Sequence, residues 1–375
     1  MKDILRKGFS KLGRLSDLPE LSQRLFQGGE RPGAGGDRAG APEGRPSFQM
    51  PEALSGFLDR VGRGDFSLPL GELVNPAPVK APHAPSGAKF LSESFSGAQG
   101  SRSYKLYVPS GYRGGQPVPL IVMLHGCLQS PDDFAAGTRM NEAAERQVCL
   151  VAYPAQTASA NSSRCWNWFN PADQRRDQGE PAIIAGIARR IMAGYAVDPR
   201  RVYVAGLSAG GAEAAILAET YPDLFAAVGV HSGLACGAAT DMNSAFVAMR
   251  AGAAPQRRRR SPAEPARPIP AIVFHGDRDA TVHPSNGDAV IARATPDGAP
   301  RTRVEQGSVV GGHTYTRSLT IDASGRTLLE QWVIHGAGHA WSGGSSSGSY
   351  TDPRGPDATA EMLRFFLEHP RPTLT

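Results

Sequence analysis

Cysteine is scarce in this chain: there are four, at 127, 149, 165 and 236, in 375 residues. That is too few for a disulfide framework at this length, and no pair has the C-x-x-C spacing of a zinc site. No metal is therefore expected. Long apolar runs are also missing; none approaches the ~18 residues of a membrane-spanning helix. Neither sign of charge dominates, since the net charge of +5 is modest and scattered. One basic cluster, Arg257 to Arg260, lies in a Pro-rich stretch without interleaved aromatics. It reads as a solvated loop, so no nucleic-acid partner is expected. The charged start, Met1-Lys2-Asp3-Ile4-Leu5-Arg6-Lys7, runs into no uninterrupted apolar segment. No secretory signal is read there, which favours a cytoplasmic location.

What is present is a chain of two characters. Residues 1–90 form a low-complexity N-terminal extension, with a Gly/Pro/Arg/Ala-rich stretch from Gly28 to Pro46 and four prolines between Pro76 and Pro85. Such composition buries too little apolar surface to offset chain entropy. Two short helical patterns interrupt it, one at 4–26 (Leu5, Phe9, Leu12, Leu18, Leu21, Leu25) and one at 54–61. The first is basic and amphipathic. It either docks on the folded domain or a second subunit, or adheres to a granule or membrane surface. Residues 91–370 then alternate strand and helix. Strands are expected at 104–108, 120–124, 149–153, 202–205, 227–231, 272–275 and 328–333. Helices are expected at 133–147, 181–193, 209–220, 284–293 and 356–368. Apolar strands alternating with helices imply a mostly parallel, doubly wound α/β sheet. Residues 251–270 break the rhythm and read as an exposed insertion.

The most informative pattern is Gly206-Leu207-Ser208-Ala209-Gly210. An apolar β-branched run precedes it and a small-residue helical run follows it. Strand, sharp turn and helix make G-x-S-x-G a nucleophile elbow. A second match, Gly344-Ser345-Ser346-Ser347-Gly348, lies in a Gly/Ser run and reads as loop. A serine hydroxyl needs a base, and the base needs an orienting acid. Two aspartates, Asp277 and Asp279, follow the strand ending at His275; two histidines, His335 and His339, follow the strand ending near Ile334. The order Ser, Asp, His is that of the α/β-hydrolases. His339, on a glycine-flanked loop able to curl over the serine, is preferred to His335, while the residues leave both aspartates open. His283, His313 and His369 read as ordinary surface residues. The oxyanion needs two N–H donors; Ala209, at the helix start, and Cys127, after Leu124-His125-Gly126, are the candidates. His125 then braces the loop.

These segments, with Tyr153-Pro154-Ala155-Gln156, Cys165-Trp166-Asn167-Trp168-Phe169 and Gly338-His339-Ala340-Trp341, resemble the poly(3-hydroxybutyrate) depolymerase family of esterases, to which feruloyl and acetylxylan esterases are similar. The resemblance spans roughly residues 90–370. It implies an α/β-hydrolase fold and a serine esterase using Ser208, Asp279 and His339, with Cys127 and Ala209 as oxyanion donors and no cofactor. It favours Asp279 over Asp277 and implies a Cys127–Cys165 bridge. It also suggests an extracellular setting. Trp166, Trp168 and Trp341 then line an acyl or polymer groove or, equally, belong to the core. The expected substrate is a polyhydroxyalkanoate-type polyester or its oligomers. A feruloyl, acetylxylan or general short-chain ester is the alternative, and a non-catalytic granule-binding protein is the alternative of another class.

Overall fold

The computed structural model describes residues 85–253, 269–296 and 301–372, all within one compact unit, Val74–Thr375. The helical patterns at 4–26 and 54–61, and most of the 251–270 insertion, lie outside the described residues. The elements run β1 (Lys89–Gly97), β2 (Gly100–Val108), β3 (Val118–Leu124), α1 (Pro131–Thr138), α2 (Met140–Gln147), β4 (Leu150–Pro154), α3 (Gly179–Gly194), β5 (Val197–Leu207) and α4 (Ala209–Thr220). They continue with β6 (Ala227–His231), α5 (Met242–Ala251), β7 (Ala271–Gly276), α6 (Ser285–Ala294), β8 (Arg301–Ser308), β9 (Thr314–Ile321), β10 (Thr327–Ile334), β11 (Trp341–Ser342), β12 (Thr351–Asp352) and α7 (Ala358–Glu368).

Ten strands make one sheet in the order β1-β2-β4-β3-β5-β6-β7-β10-β9-β8. The six central strands, β4 to β10, are mutually parallel, and antiparallel strands flank them on both sides. Side chains alternate between faces along a strand, so the unbroken apolar run of β3 feeds two cores. Leu120, Val122 and Leu124 pack under α3 to α6, while Ile121 and Met123 pack under α1, α2 and α7. Helices on both faces of this sheet define the α/β-hydrolase fold. Register does the rest: Leu124 sits beside Gly206, Leu207 beside His231, His231 beside Phe274 and Gly276 beside Ile334. The loops after β3, β5, β7 and β10 therefore leave from one edge, where open α/β sheets bind ligands.

The helix expected at 133–147 is two helices. Arg139, at φ 55°, ends α1 and opens α2. The cause is tertiary: Ser345 N–H takes the Gly137 carbonyl at 2.8 Å, and Thr359 Oγ1 takes the Thr138 carbonyl at 2.6 Å. Those carbonyls would otherwise have continued the helix. The helix starts earlier than expected because Ser130 caps it, accepting from Asp133 N–H, with Pro131 in the first turn. β1, β8 and β9 were not expected. β1 and β8 are sheet edges, and their mixed polar sequences lack an apolar run. His369 is not a surface residue: it is buried, with Nδ1 on Phe365 O and Nε2 on Thr327 O at 2.6 Å each.

Candidate active site

Ser208 links β5 to α4 with φ 57° and ψ −120°, a conformation an L-residue holds only under constraint. The two glycines supply the constraint. A Cβ on Gly206 would lie 2.2 Å from Gly210 O, and one on Gly210 would lie 2.1 Å from Leu124 O. Strand, helix and the end of β3 thus meet at van der Waals limits, and the serine N–H is tied to His231 O at 2.9 Å.

Asp279 and His339 come together. His339 Nδ1 is 2.7 Å from Asp279 Oδ2, and the aspartate side chain is fully buried. Its other oxygen, Oδ1, accepts the N–H groups of Thr281 and Val282 at 2.9 and 2.8 Å. Burial alone would raise this carboxyl's pKa. The neighbouring His339 charge and the hydrogen bonds from His275 and His339 overcome burial and hold it well below the usual carboxylate range. The loop carrying His339 crosses the end of β7 because residue 276 is glycine; a Cβ there would sit 2.3 Å from Ala337 O. Among the described residues Ser208 Oγ and His339 are not hydrogen-bonded to each other. Such bonds are often long before substrate arrives.

Asp277 and His335 also form a pair, Oδ2 to Nδ1 at 2.9 Å, with Gly336 N–H on Asp277 Oδ1 at 2.7 Å. That pair is exposed, and its outer nitrogen meets Thr316 Oγ1 at 2.9 Å rather than the serine.

The loop after β3 lies against the elbow; a Cβ on Gly126 would sit 3.5 Å from Ser208 Cβ. Gly126 N–H donates to Gln129 Oε1 and Leu128 N–H to Ser163 O. The Cys127 N–H between them donates to no acceptor among the described residues. Ala209 N–H, first in its helix, has no intrahelical acceptor either. His125 sets the Gly126–Cys127 peptide: Nε2 accepts from Gln156 N–H at 3.1 Å, so Nδ1 carries the proton and donates to Gly126 O at 2.8 Å. Holding that carbonyl fixes the plane of the peptide that carries the Cys127 N–H. Burial pushes the His125 pKa down to about 4, against the Gly126 bond that raises it. Cys127 and Cys165 are joined by a disulfide, which fixes the same loop to the aromatic segment.

All three tryptophans are buried in this structure, as the core alternative for them expects. Trp166 and Trp341 are essentially inaccessible, and Trp168 is 5% exposed. Trp166 Nε1 donates to His125 O at 3.1 Å. Trp341 stacks on His231 and donates to Thr359 Oγ1 at 3.0 Å. Trp168 packs edge-to-face with Phe169.

Sequence reading missed the supports. Gln129 joins Gly126 to Asp133 and Ser349. Glu180 gathers Asn167, Gln156 and Arg102. His231 Nε2 accepts Ser342 N–H at 3.0 Å, just beyond the His339 loop. Only the two histidines ending apolar strands, His231 and His275, carried a visible signal. Among the described residues no group of three or more His, Cys, Asp or Glu side chains could hold a metal ion.

A parallel sheet with its chemistry-bearing loops at one edge places this chain among the α/β-hydrolases. The sequence pattern of the family described as Esterase PHB depolymerase matches residues 102–295, and the chain belongs to that family. Poly(3-hydroxyalkanoate) depolymerase C of Paucimonas lemoignei is 34% identical over 245 residues, covering 62% of this chain and 57% of that protein. Poly(3-hydroxybutyrate) depolymerase of Ralstonia pickettii is 30% identical over 251 residues, covering 63% and 50%. Feruloyl esterase B of Neurospora crassa is 34% identical over 117 residues, covering 31% and 39%. The chain thus spans about half the length of the depolymerases it matches.

Proposed function

We propose that this chain is a serine carboxylic-ester hydrolase acting on polyhydroxyalkanoate-type polyester or its oligomers. The observation that carries the reading is the convergence at one sheet edge of a strained serine, a buried aspartate–histidine pair and two unengaged N–H groups. Ser208 Oγ attacks the ester carbonyl while His339 Nε2 takes its proton. Asp279 holds Nδ1–H and stabilises the imidazolium. The N–H groups of Cys127 and Ala209 receive the oxyanion, because neither is engaged by another acceptor among the described residues. His339 then protonates the departing alkoxide, leaving an acyl group on Ser208. Water, deprotonated by His339, releases the acid in the second half-reaction. The polyester preference rests on the two depolymerase relatives, because fold does not set substrate.

The test is hydrolysis of p-nitrophenyl short-chain esters and hydroxybutyrate oligomers, with Ser208→Ala alongside. Both substrates should be cleaved, and the variant should lose about four or more orders of magnitude in kcat. Cleavage of simple, feruloyl or acetylxylan esters alone would move the substrate and keep the chemistry. No cleavage, with no labelling of Ser208 by a fluorophosphonate, would replace the enzyme with a surface-binding protein.

A further inference from the structure

Among the described residues four histidines are buried: His125, His231, His275 and His369. Three have both ring nitrogens engaged. His125 bonds Gly126 O and Gln156 N–H, His231 bonds Ser232 Oγ and Ser342 N–H, and each nitrogen of His369 has a carbonyl beside it, one of which its N–H serves. His275 differs. Its Nδ1 is buried with no hydrogen-bond partner among the described residues. Its Nε2 lies 2.9 Å from Val282 O and 3.4 Å from Asp279 Oδ2. A carbonyl only accepts, so Nε2 carries the proton, and the carboxylate oxygen stands 3.4 Å from the same nitrogen. A buried polar atom left unsatisfied costs free energy that an apolar side chain of similar size would not. A ring kept only for packing has no use for that cost, whereas a ring kept for its Nε2–H does.

We propose that His275 is a positioning residue for the reaction, a second imidazole that holds Asp279 in register with His339. This rests on the reading of Ser208, His339 and Asp279 as the triad. The backbone N–H groups of Thr281 and Val282 fix only Oδ1. Oδ2, the oxygen that faces His339, is restrained by two rings, and without His275 it keeps only the ring it has to position. The bond to Val282 O also closes the turn on which Asp279 stands, so one N–H sets both the loop and the carboxylate. Displacement of an orienting group by about an ångström costs up to roughly a hundredfold in rate.

The test uses the full chain and three variants. The side-chain amide of glutamine reaches to where imidazole Nε2 stands; that of asparagine stops at Nδ1. His275→Leu and His275→Asn should therefore lose about 10- to 50-fold in kcat with KM within about threefold, while His275→Gln stays within about threefold of wild type. The low-field proton resonance of His339 Nδ1–H should persist in the Gln variant and broaden or vanish in the Leu variant. Nitrogen-15 spectra of the wild-type protein should show His275 protonated at Nε2, a readout that survives if the Leu variant does not fold. The proposal is overturned by a folded Leu variant within twofold of wild-type kcat, by Gln and Leu falling equally in step with their melting temperatures, or by a proton on Nδ1. If Ser208→Ala retains activity, the triad reading fails; if it does not and His275→Leu is fully active, the positioning role alone fails.

Discussion

Two Asp–His pairs stand on the same two loops, their aspartates two residues apart and their histidines four, and they could hardly differ more. Asp279–His339 bonds at 2.7 Å with side chains 0% and 9% exposed; Asp277–His335 bonds at 2.9 Å with side chains 37% and 41% exposed. Both present Nδ1 to the carboxylate, and both loops leave the carboxyl edge of adjacent parallel strands. What separates them is where the outer nitrogen points and what surrounds the carboxylate. His335 meets Thr316, a strand residue with no elbow behind it. Asp279 is desolvated and held by backbone N–H groups, where an ion pair is screened least. Residue type and spacing make a pair; burial and aim decide what the pair can do.

The largest expected effect breaks that comparison directly. Asp279→Asn should lower kcat about 10³- to 10⁴-fold by favouring the wrong imidazole tautomer, as in other serine triads. Asp277→Asn should stay within about threefold, since an exposed pair contributes ~1 kcal/mol or less. Steady-state kinetics on one p-nitrophenyl ester decide it. Equal losses would mean that the two pairs act as a unit.

The same contrast explains what could be read from the chain beforehand. The elbow was legible because Gly206, Ser208 and Gly210 sit between an apolar strand and a small-residue helix, a local signature. The central strands were legible because burial on both faces makes unbroken apolar runs. The choice between Asp277 and Asp279 was not, since exposure depends on how loops from β7 and β10 cross at Gly276. The break at Arg139 was hidden for the same reason: Ser345 and Thr359, more than 200 residues later in sequence, take the helix carbonyls. The place of the tryptophans was not legible either, because an aromatic-rich loop segment looks alike whether it faces a groove or a core.

A second way to sharpen the contrast is to loosen the buried side. The Cys127–Cys165 bridge spans 38 positions, and closing a loop of that size stabilises by about 3–4 kcal/mol in the chain-entropy view. Cys165→Ser should lower the urea-unfolding free energy by roughly that amount. It should also reduce kcat more than KM, because the Cys127 N–H loses its tether. Unchanged stability would mean that Gln129 and Ser163 hold the loop unaided.

Acid should distinguish buried from exposed imidazoles. Burial lowers the pKa of His125 to about 4 and that of His231, further depressed by His275 and His339, to about 3. A folded pKa below the unfolded value of about 6.5 means that the unfolded chain binds protons first. The contribution is present above pH 6.5 and is lost as pH falls, by about 2 kcal/mol for each ring between pH 6.5 and 5. Stability that stays flat from pH 7 to 5 would show that these rings are not held neutral.

The smallest expected effect concerns a carboxyl that lacks what Asp279 has. Glu213, in the second turn of α4, is as buried as Asp279, yet neither oxygen has a hydrogen-bond partner among the described residues. Burial, followed by the charges of Glu180 and Asp173, raises its pKa well above the usual value. A raised folded pKa contributes stability below the unfolded pKa of about 4.3 and loses it as pH rises. At pH 7 the side chain is therefore a liability, and Glu213→Met, similar in length and apolar, should raise stability by about 1–2 kcal/mol. At pH 4 the gain should shrink, because most unfolded chains then carry the proton as the folded one does. Denaturant titrations at the two pH values read the difference. An equal gain at both would assign the effect to packing rather than to charge, and the contrast between a carboxylate with donors and one without would lose its electrostatic basis.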